Sequence, residues 1–206
     1  SGLIVDIGSW VIEESCRQIQ TFDEQGLPNL RIAINVSVPQ FRKRDFPELV
    51  EKQIEQSGIS PERVELEITE SILMEEPELV ADILKRLKLQ GVKVAIDDFG
   101  VGFSSLSYLQ KLPLNRIKID KTFVNNSAHK SGQIIIETIV DMAHRLGLEI
   151  LAEGIEEPEQ RDYFIGLDCS EGQGFYFAKP MPASELIKLL KEQKELTGTL
   201  RQSQRS

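Results

Sequence analysis

A (β/α) barrel, a parallel sheet curling closed inside a layer of helices, is the fold class that this 206-residue sequence predicts. Three observations lead there. Short β-branched runs alternate with longer stretches of helical periodicity, the pattern of repeated βα units. Each run is apolar at every second residue and polar between, so one strand face must pack while the other stays polar. Such alternation usually marks an antiparallel sheet with one wet face. Here helices intervene, and right-handed crossovers place them all on one side if the sheet closes, which leaves the polar face lining the interior. Charged groups also gather at the C-terminal ends of the runs, where barrel enzymes assemble active sites from several strands at once.

The chain opens in a helix, because Ile4, Ile7, Trp10, Val11 and the stretch from Cys16 to Ile19 recur at helical spacing before the turn at Gly26-Leu27-Pro28. Strands are predicted at Arg31–Val36, Val64–Thr69, Val92–Asp97, Arg116–Asp120 and Glu149–Ala152, with a weaker sixth near Leu167–Ser170. Within them Ile32, Ile34 and Val36 oppose Ala33, Asn35 and Ser37, and Val64, Leu66 and Ile68 oppose Glu65, Glu67 and Thr69. Val92, Val94 and Ile96 likewise oppose Lys93, Ala95 and Asp97, and Ile117 and Ile119 oppose Arg116, Lys118 and Asp120. Helices are predicted over Asp45–Ser57, Glu76–Gln90, Gln133–Leu146, Pro158–Ile165 and Ser184–Glu195, with Gly58, Gly91 and Gly147 where C-terminal caps belong. The tail Thr197–Ser206 is polar and expected to fray, so the folded unit is residues 1–196.

Composition narrows the function classes. With 33 acidic residues against 24 Lys and Arg, the net charge is −9, which argues against a groove for polymeric nucleic acid. Cys16 and Cys169 have no CxxC spacing and the histidines are only His129 and His144, so a zinc finger, a disulfide scaffold and a His-rich metal site are excluded. Neither a membrane span nor an export signal is visible, and a reducing cytoplasm is the expected compartment. A small anionic ligand, neutralised locally by metal ions, fits this charge.

Asn35, Glu67, Asp97, Asp98, Lys118, Asp120 and Glu153 fall at or just after strand ends, so a closing sheet gathers them around one mouth. Carboxylates and an amide without thiolate or imidazole are hard ligands, suited to Mg²⁺, Mn²⁺ or Ca²⁺. The adjacent acids Asp97-Asp98 suit a pair of metals about 3.5–4 Å apart, an arrangement used in phosphodiester cleavage. Plainer readings exist for each. Acids at strand ends also cap helices, Asn35 also suits a turn before Val38-Pro39, and Lys118 with Asp120 makes an internal ion pair. Glu65 reads as a structural or solvated charge, and the histidines as surface residues. Phe99-Gly100-Val101-Gly102-Phe103 lacks the Lys-Ser/Thr of a P-loop, and its glycines suit a mobile loop.

Taken together these segments resemble the EAL family of cyclic di-GMP phosphodiesterases, whose fold is a TIM-type (β/α) barrel. Asn35-Val36-Ser37 resembles the family's NxS, Glu67-Ile68-Thr69-Glu70 its ExTE, and Asp97 to Leu106 its DDFGTGYSSL loop. Lys118-Ile119-Asp120 is similar to KID, Ala152 to Glu156 to AEGVE, and Gln173 to Phe177 with Lys179-Pro180 to QGYYFxKP. The resemblance implies two Mg²⁺ or Mn²⁺ ions, with Asn35, Glu67 and Asp97 on the first and Asp98 contributing to the second. It implies that Lys118 interacts with the attacking water, that Asp120 and Glu153 complete the metal and water network, that Gln173 supports substrate or a water from the last strand, and that Pro180 faces substrate. Glu70 would steady the loop that Phe99, Gly100, Gly102 and Ser104 shape. In the family that loop couples dimer contacts to metal binding; here Val101 and Phe103 stand where Thr and Tyr are usual.

The resemblance also implies hydrolysis of cyclic di-GMP to linear pGpG in the bacterial cytoplasm, with a GGDEF or sensor domain often upstream. The alternative is a degenerate relative that senses cyclic di-GMP without cutting it, although the ligand positions present are intact. The naming Glu-Ala-Leu motif is absent, and a (β/α)₈ barrel takes roughly 250 residues, so about 40 residues with two N-terminal strands, a helix and a metal-binding Glu are expected to be missing upstream. An incomplete barrel exposes strand edges that invite a homodimer through strand or domain exchange.

Overall fold

The computed structural model describes residues 2–73, 76–101 and 109–203. Among them the strands are β1 (Ile32–Asn35), β2 (Val64–Thr69), β3 (Lys93–Phe99), β4 (Arg116–Ile119), β5 (Glu149–Ala152) and β6 (Glu171–Gly172). They lie in chain order, each parallel to the next, with β1 and β6 as the two edges of a curled sheet. The α-helices are α1 (Leu3–Glu24), α2 (Val38–Phe41), α3 (Phe46–Ser57), α4 (Glu70–Leu73), α5 (Pro77–Leu89), α6 (Lys121–Asn125), α7 (Lys130–Leu146), α8 (Pro158–Gly166) and α9 (Ala183–Ser203).

The apolar set of β1 to β5 forms the outer, helix-covered face. Leu66, Val94, Ile96, Ile117, Ile119 and Ile150 are buried against helical stripes of the expected period: Ile12, Cys16, Ile19 and Phe22 in α1, Val80, Ile83, Leu84 and Leu87 in α5, and Ile136, Ile139, Val140 and Ala143 in α7. Gly58 and Gly147 end α3 and α7 in the left-handed region, at φ 67° and 69°, as their position after each stripe predicts. One expectation is corrected. The sixth strand is Glu171–Gly172, not Leu167–Ser170, because the Leu167 amide still bonds Tyr163 and Phe164 carbonyls to finish α8 and Asp168 turns at φ 58°. Helix α9 runs from Ala183 to Ser203 and so extends into the tail that the sequence predicts.

At the base of the concave face sits an ion cluster around the buried Arg116 and Glu65. Arg116 Nη1 donates to Glu65 (2.9 Å) and its Nη2 to Glu149 (2.6 Å) and Glu171 (2.7 Å). Arg31, just before β1, reaches the same three carboxylates at 2.8, 3.5 and 4.0 Å. Glu65 is therefore structural, as its sequence position suggested. Burial opposes the charge of Glu149, but Arg116 and then Arg31 outweigh it and hold its carboxyl below the ordinary range. A folded pKa below the unfolded one gives stability that is present above the unfolded value and lost as pH falls through the folded one. Acid titration of stability should therefore be shallower in Glu149→Gln than in the parent below about pH 4; equal acid limbs in circular-dichroism titrations would contradict this.

Candidate active site

One layer above that base, strand alternation aims Glu67 and Lys118 from β2 and β4 into the concave face, two residues beyond Glu65 and Arg116. Lys118, with 3% of its side chain exposed, is the hub: its Nζ lies 2.7 Å from Glu67 Oε1, 2.9 Å from Asp97 Oδ1 and 2.7 Å from Glu153 Oε1. Burial works against its charge, yet the contacts with Glu153, Glu67 and Asp97 outweigh it and hold the ammonium above its ordinary pKa. Burial also raises the carboxyls of Glu67 and Glu153, and Lys118 only partly offsets the rise.

Adjacent residues in a regular strand point to opposite faces, so Asp97 and Asp98 should not share a site. A bulge resolves this. Ile96 pairs with Ile117 and Phe99 with Ile119, so Asp97 and Asp98 together oppose the single residue Lys118. Asp98 adopts φ 53°, a left-handed conformation that Asp tolerates better than most residues. As a result one carboxylate oxygen from each of Asp97, Asp98 and Glu153 falls within 4.8 Å of the others. Burial, then Asp97 and Asp120, push the Asp98 carboxyl up. Asp120, the N-cap of α6, is held below its ordinary pKa: burial would raise it, but the Thr122 hydroxyl (2.5 Å) and amide (2.9 Å) both donate to its Oδ1 and outweigh that effect.

The remaining sequence candidates surround this cluster. Asn35 stands opposite Glu67 in the β1–β2 register with its side chain exposed. Gln173 donates from Nε2 to Glu153 Oε1 at 2.8 Å. Pro180, with Gly154, Gln173, Phe175 and Lys179, lines a neighbouring cleft of about 500 Å³. Glu70 is buried at the start of α4 and accepts the Gly100 amide at 3.3 Å, tying the residue after Phe99 to β2's end. Phe99 is buried, and Gly100 (φ 95°) leaves no room for a side chain because a Cβ there would lie 2.9 Å from Phe123. Gly102 and Ser104 lie outside the described residues. Sequence reasoning missed Thr122; the Asp-x-Thr step entering a helix after Lys118-Ile119 was the available signal.

The residues fit a hard divalent cation on structural grounds. The converging donors are all carboxylate oxygens. Asp97 Oδ1 is buried with no hydrogen bond, since its 2.9 Å contact with Lys118 is an ion pair without hydrogen-bond geometry. One ammonium faces the acids Glu67, Asp97 and Glu153, leaving negative charge uncompensated.

A family model described as the EAL domain matches residues 1–180. The chain is 37% identical over 194 residues to the signaling protein YkoW of Bacillus subtilis, covering 94% of this chain and 24% of that protein. It is 39% identical over 188 residues to MucR of Pseudomonas aeruginosa, named a bifunctional diguanylate cyclase/cyclic di-GMP phosphodiesterase, covering 91% of this chain and 27% of MucR. A solved structure of the MucR phosphodiesterase in complex with c-di-GMP superposes with a TM-score of 0.86 at 40% identity, covering 90% of this chain and 75% of that one. The chain thus spans about a quarter of the length of these curated relatives.

Proposed function

Because the chain belongs to the EAL domain family, we propose that it is a phosphodiesterase domain that hydrolyses cyclic di-GMP to linear pGpG. The observation that carries this reading is the convergence of Asp97, Asp98 and Glu153 oxygens within 4.8 Å beside the buried Lys118. EAL domains are metal-dependent, and this acidic cluster is where a divalent ion would bind. Asn35, Glu67 and Asp97 would hold one Mg²⁺ or Mn²⁺, and Asp98 with Asp120 the second. Bound there, such ions would supply Lewis acidity at the phosphodiester and lower the pKa of a bound water.

The chain's own groups do the rest. Lys118 presents a fixed positive charge to the phosphate and to the attacking water. Glu153, held between Lys118 and Gln173 with its carboxyl raised by burial, would accept that water's proton. The cleft lined by Gln173 and Pro180 orients the rest of the dinucleotide. No helix among the described residues is long and apolar enough to cross a membrane. We extend the reading to a homodimer, with strand or domain exchange, acting in the bacterial cytoplasm, with a GGDEF or sensor domain upstream of an EAL unit that fills residues 1–196.

Incubation with cyclic di-GMP and Mg²⁺ or Mn²⁺, followed by chromatography, tests this: pGpG should form and a chelator should stop it. Cyclic di-GMP recovered intact from a protein that binds it would favour the sensing alternative. A further expectation concerns Glu70, which acts on the ligands through the loop. Glu70→Ala removes the acceptor of the Gly100 amide; since losing a group that orients a metal ligand costs about 10–100-fold in affinity, it should weaken Mn²⁺ binding about tenfold by calorimetric titration, and unchanged affinity would show that the Glu70–Gly100 bond does not shape the site.

A further inference from the structure

We propose that Glu171 is a positioning residue for the barrel mouth: its ion pairs with Arg116 and Arg31 hold β6 in the register that brings Gln173 to Glu153. Only the kinetic consequence rests on the phosphodiesterase reading. β6 has the shortest ladder of the strands among the described residues, with the pairs Leu151↔Glu171 and Ala152↔Gly172 to β5 and no strand on its other side. Yet β6 leads directly into the site. Glu171 and Gln173 share the concave face by alternation, Glu171 at the base and Gln173 at the mouth. Any slip at the base therefore moves Gln173 away from Glu153 Oε1, which it meets at 2.8 Å.

The anchor is firm where the backbone is not. Arg116 has 4% of its side chain exposed and is fixed independently by Glu65 at 2.9 Å and Glu149 at 2.6 Å, so its Nη2, 2.7 Å from Glu171 Oε1, is a rigid point for β6 to hold. Arg31 adds a longer contact of 4.0 Å from beside the opposite edge strand, tying the two edges that share no backbone bond. Above the pair, the chain has no slack: the Gln173 amide bonds Ala152 O (2.9 Å), its carbonyl accepts the Ile155 amide (3.0 Å), and a Cβ on Gly174 would lie 2.1 Å from Ile155 O. Register at Glu171 thus sets Gln173 and the cleft that Gln173, Phe175, Lys179 and Pro180 line. Glu171 is itself 46% exposed, so its removal should cost little global stability, and position can be read apart from folding.

Hydrogen exchange on the metal-free protein and kinetics in a double-mutant cycle test this. In Glu171→Ala the Gln173 and Ile155 amides should exchange at least about tenfold faster while β2 and β3 amides keep their rates, as expected for a local opening. The isosteric Glu171→Gln, which keeps the side-chain shape, should show the same effect in smaller measure. Glu171→Ala should lower kcat/KM about tenfold, in the range for a group acting through a ligand's partner, and should add nothing in a Gln173→Ala background, because it acts through Gln173. Unchanged exchange at Gln173, a uniform rise across all strands, or kinetic losses that multiply in the double variant would each overturn the proposal. A parent chain without turnover would sink the phosphodiesterase reading, while the exchange result would still decide the role of Glu171.

Discussion

Replacing Arg116 with methionine should lower the unfolding free energy by about 3 kcal/mol, the lower end of the cost of breaking a buried ion pair from one side. Glu65, at 1% exposure, would keep only Arg31, which is one-third exposed and also shared with Glu149 and Glu171. The half-exposed Glu149 and Glu171 rehydrate, which is why the lower end applies. A urea titration measures it: the midpoint should fall with the slope unchanged. A loss under about 1 kcal/mol, typical of exposed pairs, would mean that the base cluster is solvated in solution. Restoring a cation with Arg116→Lys should recover only part of the loss, since one ammonium cannot reproduce the guanidinium's separate contacts with Glu65 and with Glu149 and Glu171.

Asp97→Asn should abolish metal-dependent turnover while leaving the fold intact. The amide keeps the shape but removes the charge and one of the carboxylates that converge within 4.8 Å. Loss of a partner one contact removed from a metal costs about 10–100-fold, so loss of Asp97 as the proposed ligand should exceed about a hundredfold in kcat/KM. Stability should hardly fall, because Lys118 retains Glu67 and Glu153 at 2.7 Å each and the site sheds a surplus negative charge. Unchanged turnover would remove Asp97 from the metal site, and a collapsed fold would mean that its contact with Lys118 is chiefly structural.

Much of this was legible in the sequence because it follows from alternation. Val64, Leu66 and Ile68 against Glu65 and Glu67 predict a polar concave face, and Lys118 between Arg116 and Asp120 lands on that face in the structure. What alternation cannot supply is its own interruption. Nothing in Asp97-Asp98 by itself announces a bulge, and only the pairings of Ile96 and Phe99 across Lys118 reveal why two neighbouring acids share a site. The position of β6 was also missed, since two residues carry no periodicity and Leu167 belongs to the end of α8. The base cluster was hidden for a different reason: Arg31, Glu65, Arg116, Glu149 and Glu171 are far apart in sequence, and only the sheet's curl brings them together.

The most direct measurement is single-turnover reaction with cyclic di-GMP and Mn²⁺ in ¹⁸O-labelled water, followed by mass analysis of the nucleotide. The expected product is pGpG carrying one labelled oxygen on its terminal phosphate, formed by the parent chain and not by Asp97→Asn. Intact cyclic di-GMP in both reactions, or equal label from the two proteins, would contradict the assignment of hydrolysis to the acids around Lys118.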